Sequence, residues 1–322
     1  MYKADTFFIF LFAIRTVCDT VTTYTNRTRS ETMAILILTP QNDLQVALDR
    51  APAGSTVHLC AGVYRQKLVL RTPGLRLEGE GAENTVLIYD DYARKIDARG
   101  QEYNTFRTWT LAVCADDIHM HNLAVVNDAL NPASKGQEVA LSVYGDRFLM
   151  EDCLLRSTQD TLFLGPLPKD LIARYQGFLP DELRQDRLLT QRFTRCRIEG
   201  SVDFIFGCGE ALLEECEIRS VSDGREVGYV AAPAHALEQT EGFRFRRCTF
   251  TAEDTVAQGS VFLARPWRDH GLCFFEDCRC GRHIAAAGFD AWLDSGREKT
   301  ARFYEHPVQP GRVAWVNPQR EA

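Results

Sequence analysis

From residue 55 onward the chain is written in short apolar runs in which hydrophobic and polar positions alternate, punctuated by Gly, Pro or Asp. Residues 55–59, 67–70, 75–78, 85–89 and 110–113 are of this kind and each predicts a strand. One earlier stretch differs. Within residues 41–50, Leu44, Val46, Ala47 and Leu48 suit a short helix, which Ala51-Pro52-Ala53-Gly54-Ser55 breaks.

Further along, the pattern repeats itself. Residues 118–125, 148–155, 193–198, 213–218, 243–250 and 273–278 are versions of one unit, apolar-x-x-x-(Asn or Cys)-x-apolar or close to it. A strand unit that returns at roughly 20 to 35 residues predicts an all-β, single-domain solenoid, most simply a parallel β-helix. Equivalent positions on neighbouring coils then lie about 4.8 Å apart, so like residues stack. Cys153, Cys196, Cys216, Cys248 and Cys278 each sit within such a unit and read as inward-facing small hydrophobes of the core.

Residues 164–189 break the rhythm. Gly165-Pro166-Leu167-Pro168 is followed by Leu171, Ile172, Tyr175, Phe178 and Leu183 among charges, which predicts an inserted loop with a helical turn or two. Because it follows directly on Asp160, it is either the wall or lid of a cleft or a plain surface excursion.

The ends carry less pattern. Residues 6–14 are apolar enough for a signal-peptide core, but Lys3 is offset by Asp5 and no small-x-small cleavage site follows; the run is too short to span a membrane. Residues 15–31 are rich in Thr and Arg without periodicity, and Asn26-Arg27-Thr28 fits a glycosylation acceptor if a eukaryote secretes the chain. We therefore divide the chain into an N-terminal extension, 1–32, a β-helix domain, 33–317, and a C-terminal tail, 318–322.

Composition narrows the partners. The chain has 322 residues, 45% of them hydrophobic and 25% charged, which is a globular composition with enough apolar residues for a large core. A formal net charge of −7 with no dense Lys/Arg tract argues against a nucleic-acid surface. Eleven cysteines, an odd number without any Cys-x-x-Cys, fit neither a complete disulfide framework nor a zinc knuckle. Free cysteines and a poor leader favour the cytoplasm, with secretion as the alternative.

The candidate chemistry lies in carboxylates set among strand formers. Residues 200–207, Gly-Ser-Val-Asp-Phe-Ile-Phe-Gly, hold Asp203 in an apolar run, and residues 157–163 hold Asp160 in Ser-Thr-Gln-Asp-Thr-Leu-Phe. A lone Asp there can be satisfied by backbone donors, but two so placed suggest a pair. Adjacent coils would bring Gln137, Gln159, Asp160 and Asp203 to one face once the insertion is discounted. Such a pair keeps one carboxylate ionised as nucleophile or base and one neutral as acid, while two uncharged amides suit an oxyanion. Arg265, in Ala-Arg-Pro-Trp, could pair with the ionised Asp and hold its pKa low, and Trp267 suits either a surface anchor or a platform for a sugar ring. No Gly-x-Ser-x-Gly elbow occurs, which speaks against a serine esterase. His119 and His121 alternate on one strand without an obvious third ligand, and Asp90-Asp91 and Asp116-Asp117 read as turn residues, so no metal is expected.

These residues resemble the pectin methylesterase family of carbohydrate esterases. Residues 198–207, Ile-Glu-Gly-Ser-Val-Asp-Phe-Ile-Phe-Gly, look like its signature around a nucleophilic aspartate, and residues 159–163, Gln-Asp-Thr-Leu-Phe, like the segment of its acid/base aspartate. Residues 136–141 and 263–267 are similar to its other site motifs, and Thr105-Phe106-Arg107-Thr108 with Phe303-Tyr304-Glu305 extend the likeness over about residues 35–315. The resemblance implies a right-handed parallel β-helix and hydrolysis of galacturonate methyl esters of pectin to pectate and methanol. By it Asp203 is the nucleophile, Asp160 the acid and base, Gln137 and Gln159 hold the oxyanion, Arg265 holds Asp203, and Thr105 and Trp267 contact the sugar. It implies no cofactor, and as partner methylated homogalacturonan or oligogalacturonides met by a monomer, with no nucleic acid or membrane. A non-catalytic or repurposed β-helix that binds polygalacturonate or another ligand is the competing reading. Three departures stand out: the 164–189 insertion, Cys208 after the signature, and a final tryptophan motif reduced to Gly288-Phe289-Asp290-Ala291-Trp292.

Overall fold

Alternation along each coil becomes three walls of a solenoid. The computed structural model describes residues 12–13, 22–28, 31–129 and 135–318, and its strands form parallel sheets of 13, 8 and 7 strands, with an antiparallel pair of connections only at the N-terminal edge of the first. One coil shows the plan. Phe148–Glu151 lies in the first sheet, Leu154–Arg156 in the second and Leu162–Leu164 in the third, and each pairs in parallel with its counterpart in the coils on either side. This is the parallel β-helix that the repeat predicts.

The repeated unit turns out to be the corner between the first and second sheets. Asn122, Asp152, Arg195, Glu215, Arg247 and Asp277 occupy that corner in successive coils, all with φ between 52° and 55°. A left-handed residue there bends the chain sharply, so the next residue points inward. Those next residues are Leu123 and the five cysteines of the repeat; Leu123, Cys153, Cys196, Cys216 and Cys248 are buried and Cys278 partly so. Each of the five thiols lies against a main-chain carbonyl, as Cys248 Sγ does at 3.2 Å from Leu213 O. Stacking of like residues recurs outside the ladder: the Phe245 and Phe275 rings lie 4.8 Å apart and nearly parallel, and Phe274 and Tyr304 do the same at 5.0 Å.

The expected helix forms as Leu44–Arg50, with Asp43 accepting a 3.0 Å bond from the Val46 N–H as its N-cap, and its buried Leu44 and Leu48 join the solenoid core. Strand Thr22–Thr28 pairs antiparallel with Glu31–Leu38, which begins the parallel ladder. The expected leader core over residues 6–14 lies outside the described residues except for strand Phe12–Ala13, and the tail after residue 318 lies outside them as well. Among the described residues no helix is long and apolar enough to cross a membrane.

The insertion is a packed wall. Helix Lys169–Arg174 and a 3₁₀ turn, Asp181–Leu183, bury Leu167, Leu171, Leu179 and Leu183 in a second apolar cluster, against Phe106, Phe163 and Phe206 on the outer face of the third sheet. Polar contacts hold it in place: Tyr175 Oη donates to Asn104 Oδ1 at 3.1 Å, Arg268 grips Asp170, and Arg71 grips Glu182. The plain-excursion alternative is thereby set aside.

Candidate active site

The third sheet brings the predicted residues together, because each sits at or just before the start, or just after the end, of one of its strands. Gln137 precedes strand Leu141–Val143, Asp160 precedes Leu162–Leu164, Asp203 lies within Val202–Gly207, and Arg265 follows Val261–Ala264. Gln159 is bridged in parallel to Val202, and the Asp160 N–H donates to Val202 O at 3.1 Å, which sets the two aspartate segments side by side. The register between Val202–Gly207 and Gly228–Pro233 slips between Val202 and Ile205. Asp203 sits in that slip at φ 49°, and Asp160 is also left-handed at φ 65°. Bulges and left-handed positions re-aim side chains, and aspartate tolerates them better than most residues. Here they turn two carboxylates out of a strand run that is otherwise apolar. Gly200 makes room for this turn, since a Cβ there would stand 2.2 Å from the Cβ of Phe204.

Both carboxylates are only 8% exposed. Arg265 meets Asp203 with a two-pronged contact, Nε to Oδ1 at 2.8 Å and Nη2 to Oδ2 at 2.6 Å. The guanidinium is itself clamped between aromatic faces, 3.7 Å from the Tyr229 ring centre and 4.0 Å from that of Trp292. Burial pushes the Asp160 carboxyl well above the usual aspartate range, and the charge of Asp203 pushes it further. Burial also raises Asp203, against the pull of Arg265. The expectation that Arg265 keeps that pKa low therefore needs correction: its attraction opposes the desolvation of Asp203 without overcoming it. The order between the two still follows. Asp160, without an ion pair among the described residues, takes the proton first, and Asp203 stays the ionised partner.

Around the pair lies a cavity of about 470 Å³, to which Thr105, Gln137, Gln159, Arg265 and Trp267 all contribute. Trp267 packs against Phe106 and Phe206, with the Arg268 guanidinium 4.8 Å from its ring centre, and lines the cavity together with Leu171, Arg174 and Tyr175 of the insertion. Gln159 Oε1 accepts a hydrogen bond from Arg225. All seven residues expected from the sequence thus converge on one cavity. Tyr229, Trp292 and Arg225 were not among them; no motif marks Tyr229 or Arg225, and Trp292 lay in a motif that reads as degenerate.

The other polar pairs have ordinary partners. His119 meets Glu151 and His121 meets Asp152 on the next coil, and Asp91 is buried between Lys67 and Lys95.

Fold and site together are those of a carbohydrate esterase built on a parallel β-helix. A family model described as Pectinesterase matches residues 39–166 and 182–316. The chain belongs to the pectinesterase family and is a carboxylic ester hydrolase. It is 30% identical over 289 residues to Pectinesterase 31 of Arabidopsis thaliana, covering 84% of this chain and 82% of that one, and 30% identical over 301 residues to Pectinesterase A of Dickeya dadantii (strain 3937), covering 85% and 75%. Among solved structures, pectin methylesterase from carrot is similar with a TM-score of 0.74 at 20% identity, covering 92% of this chain and 90% of that one. A pectin methylesterase in complex with a hexasaccharide is similar with a TM-score of 0.71 at 24% identity, covering 86% and 88%. The family match stops at residue 166 and resumes at 182, so the part of the insertion that lines the cavity lies outside it.

This membership overturns the cytoplasmic placement. Pectin is an extracellular cell-wall polymer, and the family points to secretion. The cysteine argument failed for a physical reason: five of the thiols are spaced by the corner of each coil and packed inside it, so their reduced state reflects burial in a core and carries no information about the compartment.

Proposed function

We propose that the chain hydrolyses the methyl esters of galacturonate units in pectin, releasing methanol, through an aspartyl nucleophile. One observation carries the reading: a carboxylate held by a two-pronged arginine, beside a second buried carboxylate with no such partner among the described residues, in a cavity supplied with two amides. In the first half-reaction an oxygen of Asp203 attacks the ester carbonyl carbon. The carbonyl electrons move to oxygen, where the amide N–H groups of Gln137 and Gln159 stabilise the oxyanion. When the carbonyl re-forms, methoxide leaves with the proton of Asp160, and an acyl-Asp203 anhydride remains. In the second half-reaction a water gives a proton to the Asp160 carboxylate and attacks the galacturonyl carbon, which frees the acid and restores Asp203 as a carboxylate. Thr105 and Trp267 line the cavity where the sugar would lie, and the hexasaccharide in the similar pectin methylesterase supports a pectin-type oligosaccharide or polymer as substrate.

The test is methanol release from highly methylated pectin by the purified protein and by Asp203→Asn. Release by the parent and loss in the variant, with both folded by circular dichroism, is the expected result. Equal release by both would remove the assigned nucleophile.

A further inference from the structure

An amide has an oxygen face and a nitrogen face, and only the nitrogen can donate to an oxyanion. Gln159 Oε1 accepts a 2.8 Å hydrogen bond from Arg225 Nη2. A guanidinium has donors and no acceptor, so this contact determines which way the amide is turned: oxygen toward Arg225, N–H groups toward Asp160, whose ionised form Gln159 favours. Arg225 is anchored in turn. Its Nη1 donates to Asp223 Oδ2 at 2.8 Å and its main-chain N–H to Asp223 Oδ1 at 3.1 Å. Asp223, whose side chain is 2% exposed, also accepts a 2.5 Å bond from Ser201 Oγ. The main-chain N–H of Ser201 donates to Thr158 O at 2.7 Å, which closes the circuit on the segment that carries Gln159.

We propose that Arg225, braced by Asp223 and Ser201, is a positioning residue that fixes the Gln159 amide as an oxyanion donor. Asp223 and Arg225 lie in the loop between strands Glu217–Ser220 and Gly228–Pro233, outside every motif on which the family resemblance rests. The inference rests on the proposed role of Gln159. The terminal torsion of glutamine is broad and roughly two-fold, so an untethered amide turns over freely and presents its oxygen to the developing negative charge half of the time. The penalty then falls on the transition state and leaves ground-state binding alone.

Two readouts decide it. Methanol-release kinetics on methylated oligogalacturonates are measured for the parent, Arg225→Ala, Gln159→Ala and the double variant. Arg225→Ala is expected to lower kcat about 2-fold at unchanged KM, because half of the untethered amides still present an N–H, and to add no further loss in the Gln159→Ala background. Independent losses in the double variant, or a raised KM at unchanged kcat, would overturn the proposal in favour of direct substrate contact by Arg225. The second readout needs no substrate. By NMR the side-chain amide of Gln159 is expected to be ordered in the parent and to lose that order in Arg225→Ala, and equal order in both overturns the proposal. A parent that releases no methanol counts against the esterase reading, and the positioning is then decided by the amide alone.

Discussion

Arg265 holds Asp203 through two hydrogen bonds, of 2.8 and 2.6 Å, from a guanidinium clamped between the rings of Tyr229 and Trp292. The fork matches both carboxylate oxygens at once, and the two aromatic faces leave it little freedom to do anything else. A point charge could not reproduce this. Arg265→Lys is expected to keep the fold and to lower kcat by about 10- to 100-fold, since lysine carries the charge but neither the fork nor the planar stacking. Methanol-release kinetics with a circular dichroism control check it, and activity near the parent level would show that charge alone suffices.

The two carboxylates set a pH profile. In the proposed mechanism Asp203 must be ionised to attack and Asp160 protonated to release methoxide, and both are raised above the ordinary aspartate range. The rate kcat/KM is therefore expected to rise as pH climbs through the pKa of Asp203 and to fall as it passes that of Asp160. Its acid limb should lie above about pH 4, the value of an unperturbed aspartate. A profile already flat below pH 4 would contradict the assignment.

Trp267 is held by Phe106, Phe206 and Arg268 and lines the cavity. For Trp267→Ala we expect KM to rise by up to about 10-fold, the loss of one aromatic contact, with a smaller change in kcat. Initial rates over a range of methylated pectin concentrations test this, and unchanged kinetics would remove the residue from the substrate-binding surface.

Glu138, next to Gln137, is 1% exposed, and burial raises its carboxyl to about 7 from 4.5. A hydrogen bond from Thr158 to one of its oxygens opposes the rise without cancelling it. A carboxyl raised on folding stabilises the fold fully below its unfolded pKa, and that contribution disappears as pH rises through the folded one. Between pH 4.5 and 7 the protein should thus lose about 3 kcal/mol from this group alone. Glu138→Gln removes the titration, so urea unfolding at several pH values should show a shallower slope over that window. An unchanged slope would mean that Glu138 does not bear the load.

Much of this was legible in the chain itself. The recurring apolar units built around Asn or Cys announced the solenoid, because a coil that returns to the same corner needs an inward apolar residue there, Leu123 in one coil and Cys in five. The strands at 55–59, 85–89 and 110–113 followed from alternation, and the helix near Leu44 from its period and its Pro-Gly stop. Asp160 and Asp203 stood out because a charge in an apolar strand run demands a partner.

The sequence by itself therefore determined the architecture, the recurrence of its coils and the identity of the polar residues that break the apolar pattern, since these depend on local periodicity and on what cannot be buried alone. Tertiary structure decided the rest. Tyr229, from strand Gly228–Pro233, and Trp292 and Arg225, from loops with no pattern of their own, act on Arg265 and Gln159 across coils, and the pairing register that brings them into contact is set by neighbouring strands. Whether the insertion was wall or ornament depended on the apolar outer face of the third sheet, where Phe106, Phe163 and Phe206 meet only after the coils stack. The balance between burial and Arg265 at Asp203 was likewise invisible beforehand, because desolvation is a property of the assembled site and cannot be read from the residues that form it.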